Sequence, residues 1–168
     1  NDDFETNTDK KKVGVFVDAT IEDVIDKIEK YNLNIVQLHG EESVSYINEL
    51  VTNEAAEAIL VMKAFAVDSD FDFSITEEYE DEVDYFLFDA KGQEAGGNGI
   101  QFDWSVIDRY RGETPFLLAG GINPDSVDKI QDFHHEKCVG IDVNSGFEAK
   151  PGLKRNMDLQ AFAGKLKR

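Results

Sequence analysis

Residues 116–124 have the sequence FLLAGGINP, and residues 140–146 follow with GIDVNSG. Each stretch is a short apolar run, typical of a buried strand, that ends in small residues. Asn123 suits a helix N-cap and Pro124 the first helical position, so the pattern predicts a strand that passes through two glycines directly into a helix. Backbone amides and the positive end of the helix dipole would then meet at one anion, usually a phosphate. The two turns match the phosphate site that (β/α)8 barrels build after strands 7 and 8; the alternative is that each is only a tight turn.

The composition limits the size and the partners of the protein. Its 168 residues, 41% of them hydrophobic, suffice for one domain with a core and are too few to argue for two. The chain carries 35 acidic residues against 17 Lys and Arg, a net charge of −18, which disfavours nucleic acid and anionic membranes as partners. No apolar run approaches the length of a membrane span. The single cysteine, Cys138, allows no internal disulfide and agrees with a cytoplasmic location.

Strands and helices alternate along the chain. Apolar runs rich in β-branched residues predict six strands, each followed by a helical segment, with starts near residues 13, 34, 59, 84, 115 and 138. Alternating βα units indicate a parallel sheet, and the lack of a glycine-rich dinucleotide fingerprint after the first strand counts against a Rossmann domain. We therefore expect an α/β fold, the part of a (β/α)8 TIM barrel that covers strands 3 to 8. The expected domain is single and N-terminally incomplete, and it spans residues 13–168 behind a flexible polar lead-in at residues 1–12.

Five short motifs occur in order along the chain. They are QLHG at 37–40, FD at 88–89, GGNG at 96–99 with FDW at 102–104, AGGINP at 119–124, and DVNSGFE at 142–148 with PG at 151–152. Together they resemble the phosphoribosylanthranilate isomerase family from Lys12 to Leu166. The resemblance implies a (β/α)8 barrel of tryptophan biosynthesis, an intramolecular oxidoreductase of the aldose–ketose isomerase type. Such an enzyme converts N-(5-phosphoribosyl)anthranilate to the carboxyphenylamino-deoxyribulose phosphate by an Amadori rearrangement, without metal or organic cofactor, as a monomer or homodimer.

The same resemblance implies a general base that this sequence does not contain. In the family the base is the cysteine of a Lys-x-Cys-Gly motif on the first strand, and the second unit supplies an arginine near the anthranilate. By this alignment neither lies in the 168 residues, so we expect the chain by itself to be inactive. One alternative is a non-catalytic barrel remnant that binds a phosphate ester. Another is a sugar-phosphate epimerase, a class that typically needs metal-ligating histidines and acids on successive strands, and the sequence shows no such pattern.

An Amadori rearrangement needs an acid near the ring oxygen of the ribose and a base near its C2. Asp89 is the predicted acid because it ends a strand at the rim where barrel active sites lie; the alternative is a loop cap. Its aromatic neighbours in the strand would favour the protonated carboxyl. Gln37 and His39 share one face of their strand toward the barrel mouth, and we expect both to contact substrate. Asp142 lies near the same rim and is a third predicted contact, although a structural histidine and a structural acid would fit the same positions.

The substrate phosphate is expected at main-chain amides of the two glycine turns. The predicted donors are Gly120, Gly121, Asn144, Ser145 and Gly146. The glycine loop at residues 96–99 would close over the ligand, the alternative being a plain connector. Cys138 begins its strand and so faces the end of the barrel that serves stability, which predicts a small buried core residue and not a substitute base.

Overall fold

The computed structural model describes residues 10–90 and 104–166. Residues 1–9 of the expected lead-in and the whole glycine loop at 96–99 lie outside the described residues. In the described part of the chain, no helix is both long enough and apolar enough to cross a membrane.

Six parallel strands form one sheet, with neighbours in chain order. They are β1 (Val13–Phe16), β2 (Ile35–Leu38), β3 (Leu60–Val67), β4 (Tyr85–Ala90), β5 (Phe116–Ala119) and β6 (Cys138–Ile141). A separate antiparallel hairpin pairs β7 (Glu148–Lys150) with β8 (Leu153–Lys154). Within the described residues β1 and β6 each pair on one side only, so the sheet is open between them. The prediction of a parallel α/β sheet that forms part of a (β/α)8 barrel is confirmed.

Helices cover the outer face of the sheet. They are α1 (Ile21–Tyr31), α2 (Val44–Val51), α3 (Val127–Asp132) and α4 (Asn156–Leu166). Short 3-10 segments occur at Glu54–Ala56, Phe73–Tyr79, Trp104–Arg109 and Ser145–Phe147; the second lies between β3 and β4, and the third lies in the described part of the connection between β4 and β5. The cap predicted for the first helix is present, because the Asp23 amide donates to the Thr20 side chain at 3.2 Å.

Two apolar clusters lie on opposite faces of the sheet. The larger one fills the space between sheet and helices and includes Val24, Ile47, Phe86 and Phe88. The smaller one lines the inner, concave side and consists of strand residues, centred on Ile35, Met62, Ala64, Leu87 and Ala119. Because side chains alternate along a strand, Phe86 and Phe88 of β4 point outward while Leu87 points inward. Asp89, two residues after Leu87, therefore also points to the inner side.

The expected helix does not begin at Asn123 and Pro124. It begins three residues later, at Val127, with Ser126 as the N-cap. The Asn123 side chain instead accepts from the Asp125 amide at 2.9 Å, and the Ser126 hydroxyl accepts from the Asn123 amide at 3.1 Å. These local bonds stabilise a turn that competes with helix formation. The prediction that the glycine turn passes directly into a helix is thus wrong, and the backbone amides of that turn remain as the candidate donors.

The turn after β6 is also not followed directly by a helix. The 3-10 segment Ser145–Phe147 and the β7–β8 hairpin come first, and α4 begins at Asn156. The helix near residue 156 was predicted, but the hairpin was not. Its two strands are only three and two residues long, too short for a period-2 pattern to be recognised in the sequence.

Candidate active site

A cavity of about 320 Å³ lies on the inner side of the sheet, lined by residues in or directly after β1, β2, β4, β5 and β6. All nine residues that the sequence singled out line it: Gln37, His39, Asp89, Gly120, Gly121, Asp142, Asn144, Ser145 and Gly146. Parallel strands bring their carboxyl ends to one edge of a sheet, which explains why residues distant in sequence meet here. Four apolar residues that were not predicted complete the wall: Val15, Leu87, Ala119 and Ile122.

Gln37, His39 and Asp89 form a chain of polar side chains across the cavity. The Gln37 amide nitrogen lies 2.8 Å from His39 Nδ1, and His39 Nε2 lies 3.5 Å from Asp89 Oδ2. If the amide donates to Nδ1, the neutral imidazole carries its proton on Nε2, which faces the Asp89 carboxylate. This arrangement orients the imidazole at the mouth of the cavity. His39 is further fixed by its backbone N–H, which donates to Phe16 O of β1 at 2.8 Å.

The Asp89 carboxyl group does not lie among the aromatic rings of its strand. Phe86 and Phe88 pack in the outer cluster, whereas Asp89 lines the inner cavity and faces His39. The expectation that these rings surround the acid is wrong, because neighbours in a strand point to opposite faces of the sheet. Asp89 keeps its position at the strand end, and its environment is that of the polar cavity.

Asp142 is the carboxyl group at the rim that holds its proton more tightly than usual. Burial, together with the nearby negative charge of Asp89, raises the pKa of Asp142, and the positive charges of Lys154 and His39 act in the opposite direction. Water reaches the side chain, yet protein surrounds it on most sides because the cavity is concave. Its backbone N–H donates to Leu118 O at 2.8 Å, which places it beside the end of β5. The rim thus carries two carboxyl groups that repel each other when both are ionised.

The two glycine turns are in direct contact. Gly120 and Gly121 have φ angles of 92° and 64°, in the left-handed region that glycine adopts without strain. A Cβ at Gly146 would lie 2.1 Å from Ile122 O, so only glycine lets the turn after β6 approach the turn after β5 this closely. The backbone of both turns therefore lines one end of the cavity, where the phosphate was predicted.

Two basic residues at the end of the β7–β8 hairpin, which the sequence did not single out, form hydrogen bonds with the second glycine turn. The Lys154 ammonium group donates to the Asn144 side chain and, at 2.9 Å, to Glu148 Oε1. The Arg155 guanidinium group donates to Gly146 O at 2.7 Å. The Pro-Gly pair at residues 151–152, followed closely by these two cations, is the sequence signal that could have identified them.

Cys138 lies at the first residue of β6, at the far end of the strand from Asp142. Its thiol donates to Gly140 O at 3.5 Å, and it packs against the outer cluster. Burial raises the pKa of the Cys138 thiol, which disfavours the thiolate. It does not line the cavity. Across residues 10–90 and 104–166, no cluster of three or more His, Cys, Asp or Glu side chains could hold a metal ion.

Known proteins resemble this chain in sequence and in fold. The sequence model of the N-(5'-phosphoribosyl)anthranilate (PRA) isomerase family matches residues 2–165. The N-(5'-phosphoribosyl)anthranilate isomerase of Parabacteroides distasonis is 49% identical over 152 residues, which cover 90% of this chain and 67% of that protein. The isomerase of Phocaeicola vulgatus is 38% identical over 156 residues, covering 93% and 74%.

Solved structures agree with the sequence comparison. The crystal structure of phosphoribosyl anthranilate isomerase from Thermotoga maritima superposes with a TM-score of 0.75 at 37% identity, over 94% of this chain and 73% of that one. A phosphoribosyl anthranilate isomerase in complex with reduced 1-(o-carboxyphenylamino)-1-deoxyribulose 5-phosphate superposes with a TM-score of 0.72 at 34% identity, over 94% and 71%. On the strength of both comparisons, this chain belongs to the N-(5'-phosphoribosyl)anthranilate isomerase family.

Proposed function

We propose that this chain carries the acid and the phosphate site of an enzyme that isomerises N-(5'-phosphoribosyl)anthranilate. The observation that supports this function best is the single cavity in which Asp89, the glycine turns and His39 meet. A cavity of about 320 Å³ is within the usual size for a small-molecule ligand. One ligand can therefore touch the carboxyl groups and the amide-rich turns at the same time.

The reaction needs one proton donated and one removed. The Asp89 carboxyl group donates a proton to the ring oxygen of the ribose, and the C1–O bond breaks as the anilino nitrogen lone pair forms the C1=N bond. A base then removes the proton from C2, and the electron pair of that C–H bond forms a C1=C2 double bond as the iminium nitrogen becomes neutral. The resulting enol tautomerises to the 2-ketone.

The remaining cavity residues bind and orient the substrate. Main-chain amides of Gly120, Gly121, Asn144, Ser145 and Gly146 hold the phosphate group. This contact does not depend on the overall charge of −18, which opposes an anion at long range, because amide dipoles act locally. Gln37, His39 and Asp142 contact the sugar or the anthranilate. Burial and the negative charge of Asp89 raise the pKa of Asp142, so the Asp142 side chain accepts a proton from solvent more readily than an ordinary aspartate.

We further propose that the 168-residue chain alone does not catalyse the reaction. The resemblance calls for a cysteine as the general base, and the described lining of the cavity includes none. Cys138 lies at the opposite end of its strand and cannot serve. The base would then have to come from the units that occupy the first two strand positions in the family. A cytoplasmic location and a monomeric or homodimeric state belong to the same proposal.

The experiment compares the 168-residue chain with a fusion protein in which the first two βα units of the Parabacteroides distasonis relative precede Lys12. The loss of fluorescence of N-(5'-phosphoribosyl)anthranilate measures its consumption. We expect turnover by the fusion protein and none by the chain alone. Turnover by the chain alone would contradict the proposed inactivity.

A binding measurement separates the enzyme from the non-catalytic alternative. Reduced 1-(o-carboxyphenylamino)-1-deoxyribulose 5-phosphate, the compound bound in one of the similar structures, is titrated into the fusion protein by calorimetry. Binding together with turnover supports the isomerase. Binding without turnover in a folded fusion protein supports a phosphate-ester-binding remnant and overturns the proposed activity.

A further inference from the structure

We propose that Glu42 and Lys63 are positioning residues, whose buried ion pair fixes the turn after β2 so that His39 reaches Asp89. The inference rests on the proposed function for its catalytic meaning, but its structural claim can be tested without turnover. Neither residue lines the candidate active site, and neither was singled out in the sequence.

The Glu42–Lys63 pair is almost fully buried. Lys63 Nζ lies 3.2 Å from Glu42 Oε2, and the two side chains are 3% and 2% exposed. Lys63 is in the middle of β3 between Val61 and Phe65, which belong to the outer cluster, so its side chain points away from the cavity. A charged group in this place needs a specific partner, because burial of an unpaired ammonium is costly.

The pair holds both backbone groups of the residue that follows His39. The Gly40 N–H donates to both carboxylate oxygens of Glu42, at 3.2 and 3.0 Å, and the Gly40 carbonyl accepts from Lys63 Nζ. The backbone of His39 is bonded in turn to Phe16. The peptide groups on both sides of His39 are therefore hydrogen-bonded, one to the Phe16 carbonyl and the other to the buried Glu42 carboxylate.

The same carboxylate also ties in the turn after β1. Glu42 Oε1 accepts from the Asp18 amide at 2.9 Å, and Asp18 Oδ1 accepts from the Glu41 amide at 2.7 Å. Asp18 has a φ of 48°, a left-handed conformation that is strained for a residue other than glycine and here is held by these bonds. One buried carboxylate thus connects the ends of β1 and β2 to the middle of β3.

Stability alone does not explain an ion pair at this position. The cost of removing both charges from water offsets most of their attraction, and well-packed apolar residues often replace such pairs without loss. What apolar residues cannot do is bond the amides of Asp18 and Gly40 and the carbonyl of Gly40. We therefore attribute the pair to its hydrogen bonds with the turns after β1 and β2, which hold the backbone next to His39 so that its side chain lies opposite Asp89.

The test measures the contact between His39 and Asp89 by NMR, on the 168-residue chain and on the fusion protein. D89N changes the ring ¹⁵N chemical shifts of His39, because the carboxylate faces Nε2. We expect this change to fall to less than about half in the E42L/K63M background, in which no side-chain acceptor remains for the Asp18 and Gly40 amides, as in a double-mutant cycle. The matched control is E113L/K137M, which removes another Glu–Lys pair at the amino-terminal ends of β5 and β6 and should leave the change intact.

An undiminished D89N effect in folded E42L/K63M would overturn the inference. If the double variant does not unfold cooperatively, the single variant K63M replaces it, since it removes the bond to the Gly40 carbonyl and leaves the Glu42 bonds to Asp18 and Gly40 in place; the D89N effect should then fall by a smaller amount, and an undiminished effect would again overturn the inference. Amide exchange in the unsubstituted chain gives a second test that needs no variant. The Gly40 amide should exchange as slowly as the His39 amide, and fast exchange at Gly40 would also overturn the inference. Failure of the isomerase assay would change neither measurement, so the two proposals fail separately.

Discussion

The His39 imidazole reaches the Asp89 carboxylate across an intervening strand, with 3.5 Å between Nε2 and Oδ2. His39 directly follows β2, Asp89 is the second-to-last residue of β4, and β3 lies between these two strands. Second neighbours in a sheet are about 9.6 Å apart, so two side chains can meet only if the middle strand offers little bulk. Toward its carboxyl end, β3 presents Ala64 and Ala66 on its inner face, and Ala66 is paired with Asp89. The small residues of β3 are thus as necessary to the site as the polar residues that they separate.

Replacement of the predicted acid tests the site directly. In the fusion protein, D89N should lower kcat by about 10²- to 10⁴-fold, because an amide cannot donate a proton to the ring oxygen as a carboxylic acid does. The measurement is steady-state isomerase kinetics.

Asp84 provides the matched control for this substitution. It lies just before β4, at the other end of the same strand, where its Oδ2 accepts from the Val61 amide at 2.8 Å. D84N retains an acceptor oxygen and should leave kcat unchanged. Equal losses in D84N and D89N would mean that the effect comes from the strand and not from the acid.

The first glycine turn can be tested with a pair of alanine substitutions. Gly121 and Gly152 have φ angles of 64° and 79°, and an added Cβ would meet nothing within 4 Å at either position. G121A and G152A should therefore each lower the free energy of unfolding by about 1 to 2 kcal/mol, the cost of a left-handed conformation with a side chain. Urea unfolding measures this shared cost.

Only one of the two substitutions is at the proposed phosphate site. Gly121 lines the cavity, whereas Gly152 is in the turn between β7 and β8. G121A should weaken binding of the reduced carboxyphenylamino-deoxyribulose phosphate by about tenfold, or 1.4 kcal/mol, while G152A leaves it unchanged. Equal affinities of the two variants in calorimetry would argue against the turn after β5 as the phosphate site.

The fold was largely predictable because its strongest signals are local. Each of the six strands appears in the sequence as a short apolar run, and the first helix carries its Thr20 cap and an apolar stripe that includes Val24 and Ile28. The site followed from one rule, that parallel strands share an edge for their carboxyl ends. Asp89 and Asp142 could be placed together on that rule alone.

What could not be predicted depends on contacts between distant residues or on competing local bonds. The hydrogen bond between Asn123 and Ser126 stabilises a turn, so the helix after β5 begins at Val127 and not at Pro124. Both Asn123 and Ser126 are common N-cap residues, so the sequence does not show which of them precedes the helix. Lys63 is a charge within an apolar run, which is a visible anomaly. Its partner Glu42 is 21 residues away, and only the packing of the turn after β2 against β3 brings them together.

The pKa of Asp142 makes a prediction about stability and pH. Because that pKa is raised in the folded protein, ionisation of Asp142 costs the folded state more than the unfolded state. This cost is absent below the ordinary aspartate pKa near 4, and it grows as the pH rises from there through the pKa that Asp142 has in the folded protein. D142N should therefore raise the free energy of unfolding at pH 7, by less than about 1 kcal/mol since water reaches the side chain.

The gain from D142N should disappear when urea unfolding is repeated near pH 3, where the aspartic acid is neutral in both states. An equal gain at pH 3 and pH 7 would show that the substitution acts through packing and not through charge. A loss of stability at pH 7 would contradict the raised pKa itself.

Glu80 makes the opposite pH prediction, far from the cavity. Burial of its carboxylate would raise the pKa of Glu80, but hydrogen bonds from Tyr110 Oη at 2.8 Å and from the amides of Thr114 and Glu113 at 2.9 Å outweigh burial and lower it. Because the pKa of Glu80 is lower in the folded protein, its carboxylate stabilises the folded state at pH values above the ordinary glutamate pKa. This contribution is lost as the pH falls through the pKa that Glu80 has in the folded protein. E80Q should therefore cost about 1 to 2 kcal/mol at pH 7, because an amide offers one acceptor where the carboxylate offers two.

The control for E80Q is E78Q, at an exposed glutamate two residues earlier in the chain. It removes the same charge from the same region without removing the bonds to the segment before β5. We expect E78Q to change the free energy of unfolding by less than about 0.5 kcal/mol, and the E80Q deficit to become smaller as the pH falls from 5 to 3. A deficit that stays constant over this range would indicate that the Glu80 carboxylate contributes through its shape and not through its charge.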